Sequence, residues 1–282
     1  MTDTDSQILP RIADLAREAS KILADFCQAS VRDLAVAWKG VNDPVTAADR
    51  AAHDLCVERL PAILPGVPLV SEEGGAPEGA REFWSLDPLD GTSEFVDHLG
   101  EWAFQLALVR DGRPVLAVVS LPAVDRIYVA QEGKGCLGGR ISSGKLEPFS
   151  SFSPLRDERL VLTRSYPRRP SLRELVERHP AKNSVLLGGV GYKVHAVLSG
   201  EGDTYFAVAG TLHPWDLAAP LLVARESGLE CRTLSGGEPL VPSDREPIKA
   251  GILVTRPRWI ARNLEFFARP DIAELAARKD PR

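Results

Sequence analysis

The apolar pattern changes character near residue 150, and that change limits the possible folds more than any other feature of the chain. Before it come short β-like runs at 68–70, 83–86, 104–109, 115–121 and 126–130, separated by Gly, Pro and the Asp111-Gly112 turn. This is the pattern of an antiparallel sheet. After a Gly- and Ser-rich stretch from Cys136 to Ser153, strands at 160–163, 185–187 and 204–207 alternate with helices at 172–178, 192–198 and 216–227, which reads as an α/β arrangement. Two helices precede the sheet. Ile8, Ile12, Leu15, Ala19, Ile22, Leu23 and Phe26 recur at helical spacing, with Pro10 in the first turn. Thr46, with Asp49 three residues on, opens a second helix over Ala52, Leu55, Cys56 and Leu60. The chain is thus expected to have an α+β half, residues 1–150, and an α/β half, residues 151–282.

The 282 residues suffice for one large domain or two smaller ones. A net charge of −5 leaves no basic excess, so bulk electrostatics recruits no nucleic acid and an anionic ligand has to be caught by local charge. Cys27, Cys56, Cys136 and Cys231 are scattered and form no CxxC pair, which speaks against a zinc site or a disulfide framework. Reduced cysteines in a cytoplasmic protein are expected. Neither a basic n-region nor an apolar stretch long enough to span a bilayer is seen, so no export signal or membrane anchor is read.

Chemistry concentrates at Asp87-Pro88-Leu89-Asp90-Gly91-Thr92. Both aspartates leave an apolar strand just before a glycine turn, and converging carboxylates repel unless a cation joins them. Hard cations such as Mg²⁺ prefer oxygen donors, and Glu72, Glu73 and Asp216 stand next to apolar elements as further candidates. Taken alone, Asp-Pro-x-Asp-Gly is a tight turn between strands. Thr92 and Ser93 shift the balance, because a helix opening at Gly91 offers free amides to an anion beside the metals.

The run from Trp84 to Phe95 resembles the first signature of the inositol-monophosphatase superfamily, and Pro214-Trp215-Asp216-Leu217-Ala218-Ala219 is similar to its second. Asp43-Pro44-Val45-Thr46-Ala47-Ala48-Asp49 and Ser71-Glu72-Glu73 look like the family's other active-site segments, so the resemblance covers essentially the whole chain. It implies a layered α/β/α/β/α sandwich and an Mg²⁺-dependent phosphatase with two or three ions, inhibited by Li⁺. Glu72, Asp87, Asp90, Asp216 and the Leu89 carbonyl are then the metal ligands, with Glu73 spare. Thr92 and Asp49 orient and deprotonate water, and the Gly91 and Thr92 amides hold phosphate. Both Asp49 and Asp216 also read as helix-capping residues. Lys39 stands where the family often has a lysine near the metals; a lone lysine also reads as a surface charge.

Within the superfamily the region that discriminates substrates lies just before the second signature. Gly188-Gly189-Val190-Gly191-Tyr192-Lys193-Val194 resembles the Gly-rich, lysine-bearing loop of the 3'(2'),5'-bisphosphate nucleotidases, so Gly189, Gly191 and Lys193 are expected at an uncleaved second phosphate. The other reading is a glycine turn with a snorkelling lysine. Leu162-Thr163-Arg164-Ser165 is similar to the Ser-Arg-Ser segment of bacterial nucleotidases, and Pro220 and Phe95 fit; Tyr166 and Leu229 depart, where histidine and glycine are common. The resemblance implies a 3'-phosphoadenosine 5'-phosphate phosphatase, with an inositol-1-phosphate, sugar or histidinol phosphatase as the alternative. A small phosphate ester is the expected partner of a monomer or homodimer.

Overall fold

The computed structural model describes residues 3–28, 37–40, 43–75, 79–154 and 156–278, with the backbone alone of 3–4, 37–40 and 43–45. Helices α1 (Asp3–Gln28) and α2 (Ala47–Ile63) flank an antiparallel pair, β1 (Ala37–Gly40) and β2 (Asp43–Val45). Thr46 caps α2: its hydroxyl accepts from the Ala48 and Asp49 amides at 3.1 and 3.4 Å, and the Thr46 amide donates to Asp49 Oδ2 at 2.8 Å. This reciprocal exchange is a capping box.

The first helix begins earlier than its apolar spacing indicates. Asp5 is buried, and its two oxygens accept from the Arg110 guanidinium at 2.7 and 2.9 Å, a bidentate bond that draws a polar first turn into the helix. Pro10 therefore lies inside α1 rather than in its first turn. It is exposed and leaves the Ser6 carbonyl without its helical donor.

Seven strands form the first sheet in chain order: β3 (Leu69–Ser71), β4 (Glu82–Asp90), β5 (Ala103–Arg110), β6 (Arg113–Leu121), β7 (Arg126–Gln131), β8 (Gly135–Gly139) and β9 (Leu146–Phe149). All neighbours are antiparallel except β3 and β4. A one-turn helix, α3 (Thr92–Val96), follows β4. The second sheet contains β10 (Arg159–Thr163), β11 (Asn183–Leu187), β12 (Thr204–Ala207), β13 (Glu230–Thr233) and β14 (Ile252–Thr255), in the spatial order β11-β10-β12-β14-β13. Its first three members are parallel and the last two antiparallel. The remaining helices are α4 (Pro170–Arg178), α5 (Val190–Ser199), α6 (Pro214–Glu226), α7 (Pro257–Ala268) and α8 (Pro270–Ala277).

Alternation along the strands sorts the core into layers. Trp84, Leu86, Phe104, Leu106 and Leu116 pack with Ile12, Leu23, Ala52 and Leu60 of α1 and α2. Phe83, Ala107, Val109, Ala117 and Ala130, on the opposite face, pack with Val194, Val197, Leu217 and Leu221 of α5 and α6. The same cluster takes in Val161, Tyr205 and Val254 of the second sheet. Alternate residues Leu160, Leu162, Phe206 and Leu253 pack with Leu172, Leu175, Phe266, Phe267 and Ile272 of α4, α7 and α8. The result is helix, sheet, helix, sheet, helix: an α/β/α/β/α sandwich. Each large apolar side chain buried this way contributes about 1.5–3 kcal/mol relative to exposure. All four cysteines are free. Among the described residues no helix is long and apolar enough to cross a membrane.

Candidate active site

The end of β4 is irregular, and the irregularity builds the site. Asp87 pairs with Gln105 but Asp90 with Ala103, so one extra residue is inserted, and Pro88, which has no N–H to give, falls inside this bulge. The Leu89 amide turns back to Asp87 Oδ1 at 3.1 Å. Gly91 follows at φ 87° as the N-cap of α3; a Cβ there would stand 2.9 Å from the Glu101 carbonyl oxygen and 3.2 Å from Gly189 Cα, so only glycine passes.

Asp87, Asp90 and Asp216 each present an oxygen, all within 4.8 Å of one another. Asp216 is the third residue of α6 rather than its cap, and its Oδ2 accepts from the His213 amide at 2.6 Å. Burial, and then the charges of Glu72, Asp90, Asp216 and Asp49, push Asp87 well above the usual carboxylate range. Burial does the same to Asp216, with Asp90 and Glu72 adding to it. Asp90 is also raised by burial but is held back by Lys193 and by the amides of Gly191 and Val190. Asp87 and Asp90 are buried and Asp216 is half-buried; crowding carboxylates in this way is costly unless a cation neutralises them, and an all-oxygen donor set suits a hard divalent ion. Glu72 lies outside the triad, though its charge acts on two of its members. Leu89 turns its carbonyl to the Thr92 hydroxyl at 3.0 Å.

Asp49 and Thr92 meet although they lie on different elements: the Thr92 hydroxyl is 3.1 Å from Asp49 Oδ1. Asp49 Oδ2 remains bonded to the Thr46 amide and hydroxyl, at 2.8 and 2.6 Å. Its capping role and its place beside Thr92 therefore coexist, one per oxygen. Burial raises the Asp49 pKa against these hydrogen bonds.

The glycine loop is turned inward, with its amides bonded to the protein itself. The Gly188 amide donates to Glu101 Oε2 at 2.8 Å and the Gly189 amide to the Glu101 carbonyl at 3.0 Å. Those of Val190 and Gly191 donate to Asp90 Oδ1 and Oδ2 at 2.8 and 2.6 Å. The helix N-terminus is thus occupied by a protein carboxylate. Lys193 is 5% exposed, donates to the Gly188 carbonyl and lies among Asp90, Glu94, Asp216 and Glu101, so it is no snorkelling surface lysine. Its Nζ sits 5.6 Å from the centre of the Tyr205 ring. Arg164, 40% exposed at its side chain, forms a bidentate pair with Glu101. Lys39 is on β1, but its side chain lies outside the described residues. Glu94, Glu101 and Tyr205 escaped sequence reasoning; Glu101 follows Gly100 in a loop and carries no local signal beyond its charge.

A sequence profile of the inositol monophosphatase family matches residues 5–265. The 3'(2'),5'-bisphosphate nucleotidase CysQ of Escherichia coli K12 is 30% identical over 243 residues, covering 85% of this chain and 95% of that protein. The inositol-1-monophosphatase of Mesorhizobium japonicum is 31% identical over 256 residues, covering 87% and 92%. Among solved structures, the extragenic suppressor protein SuhB of Bartonella henselae superposes with a TM-score of 0.76 at 22% identity, covering 92% of this chain and 97% of that one. With a profile that runs from the start of α1 into α7 and relatives aligned over most of their length, the chain is a phosphatase of the inositol monophosphatase family.

Proposed function

We propose that this protein is an Mg²⁺-dependent phosphomonoesterase that removes the 3'-phosphate of 3'-phosphoadenosine 5'-phosphate to leave AMP. The contact of Thr92 with Asp49 beside three converging carboxylates carries the chemistry; the likeness to CysQ supports the substrate. Asp87, Asp90 and Asp216 would hold the cations, two or three in number, with Glu72 and the Leu89 carbonyl completing their shells. Bound divalent ions lower the pKa of water and offset the charge of the phosphate and the departing oxygen.

The chain's own residues handle the proton. Thr92 Oγ1 accepts it from the attacking water and passes its own hydroxyl proton to Asp49 Oδ1. As the water oxygen bonds to phosphorus the ester P–O bond breaks, and the leaving oxygen takes a proton from solvent. A base raised by burial, as Asp49 is, is better matched to receiving that proton near neutral pH. In this reading the Gly91 and Thr92 amides orient the cleaved phosphate, Lys193 and Arg164 meet the second one, and Lys39 lies near the metals. Gly189 and Gly191, whose amides are bonded to Glu101 and Asp90, would shape the pocket of that second phosphate rather than donate to it. Residues 1–150 then supply Asp49 and most of the metal ligands, and 151–282 supply Asp216 and complete the substrate site of a cytoplasmic monomer or homodimer.

A panel of 3'-phosphoadenosine 5'-phosphate, inositol-1-phosphate and histidinol phosphate, assayed with Mg²⁺ and with EDTA, tests the proposal. The bisphosphate should give the highest kcat/KM and EDTA should abolish turnover. A preference for inositol-1-phosphate would transfer the assignment to the activity of the Mesorhizobium relative.

A further inference from the structure

We propose that Glu101 is a positioning residue that fastens the Gly188–Gly191 loop and thereby sets the first amides of α5 against Asp90. The idea rests on Asp90 belonging to the metal-binding triad. Both ends of Glu101 hold the loop: its carboxylate takes the Gly188 amide at 2.8 Å, and its carbonyl takes the Gly189 amide at 3.0 Å. The next two amides, of Val190 and Gly191, are the ones that reach the two oxygens of Asp90.

Space around these groups is as specific as the bonds. A Cβ on Gly188 would stand 2.3 Å from Glu94 Cγ and 2.9 Å from the Glu101 carbonyl oxygen, and one on Gly189 would stand 2.6 Å from Asp90 Oδ2. A Cβ on Gly191 would stand 2.9 Å from Ala103 Cβ. The glycines thus let the start of α5 close onto Asp90 and let the Glu101 carbonyl enter between Gly91 and Gly188. A carboxylate has room for about four hydrogen-bond or metal contacts; with one amide on each oxygen, the remaining lone pairs of Asp90 are directed rather than free to rotate. Arg164 completes the arrangement by holding the Glu101 carboxylate, donating through Nε at 2.8 Å to the same oxygen that takes Gly188.

Glu101→Ala removes the carboxylate anchor. Glu101→Gln keeps an oxygen for the Gly188 amide and loses the charge. Two quantities are measured without any phosphate substrate: hydrogen exchange of the 188–193 amides, and the Mg²⁺ dissociation constant by calorimetry. In Glu101→Ala the Gly188 amide should exchange at least about tenfold faster and the Mg²⁺ constant should rise about tenfold, while Glu101→Gln stays within about threefold of the parent in both. Should Glu101→Ala not fold, Glu101→Asp, one methylene short of the loop, takes its place with the same expectation. Parental exchange and parental Mg²⁺ binding in the folded variant would overturn the role. So would equal losses in Glu101→Gln and Glu101→Ala, which would make charge rather than loop anchoring the cause. A parental protein that binds no Mg²⁺ would refute the metal assignment separately, since the exchange result stands without it.

Discussion

The Thr92 hydroxyl lies 3.1 Å from Oδ1 of Asp49, a residue 43 positions earlier in the chain, and 3.0 Å from the Leu89 carbonyl. One proton is offered to two acceptors, so the Thr92 oxygen keeps lone pairs for a donor arriving from the cleft.

Thr92→Ala should therefore lower kcat by roughly 10²–10⁴, the usual contribution of a positioned proton acceptor, with little change in KM. Thr92→Ser, which keeps the hydroxyl, should recover most of the loss. Steady-state kinetics on both variants decides it, and a change confined to KM would remove Thr92 from the proton path.

Asp87→Asn separates function from stability. The Leu89 amide can still donate to the Asn oxygen where it now meets Asp87 Oδ1, while repulsion with Glu72, Asp90, Asp216 and Asp49 is relieved. Activity should vanish and the Tm of the EDTA-treated protein should rise, as expected where a site is held against its own charge. A lower Tm would contradict the electrostatic account.

Stability of the metal-stripped protein should fall as pH rises. Asp87 and Asp216 are raised by burial and neighbouring acids, so the folded state keeps protons that the unfolded chain has released. The contribution is complete below the ordinary aspartate value of about 4 and is lost as pH climbs through the raised folded values. Thermal melts across pH, with Asp87→Asn as reference, should show a gap between the two proteins that widens upward. Added Mg²⁺ should close that gap, because it binds the deprotonated form. A gap independent of pH would refute the shift.

Lys193→Ala tests the second phosphate. Loss of a charge-assisted contact should cost on the order of 1.5–3 kcal/mol in kcat/KM for the bisphosphate and little for inositol-1-phosphate. Equal losses on both substrates would instead confine Lys193 to its bonds with Gly188 and the acidic cluster.

Much of the layered fold was legible because strand alternation and helix spacing report burial directly. Thr204–Ala207 was bounded as found, and the helix expected at 216–227 is α6 (Pro214–Glu226). β8 and β9 carry no β signal at Gly135, Gly138, Gly139 and Pro148, and pairing across the sheet overrides propensity there. The early start of α1 depends on the Asp5 bond to Arg110, 105 residues away, which no local pattern contains. In the site, Asp87, Asp90 and Asp216 were readable as acids beside apolar elements. The inward turn of the glycine loop was not, since it depends on Glu101, and a loop glutamate gives no sign of which amides it will meet.

One consequence of the sandwiched middle helices concerns the smallest side chains in the core. Asp216 rides on α6, whereas Asp87 and Asp90 end a strand of the sheet against which α6 lies, so the gap that a metal must bridge is fixed by how closely helix and sheet approach. Ala107, Ala117 and Ala130 share a buried cluster with Leu217 and Leu221 of α6, and their small side chains let the two layers come close. A methyl group added at Ala117, in a different strand from Asp87 and Asp90, would overpack this layer, and any shift of α6 that relieved the crowding would carry Asp216 with it and weaken metal binding.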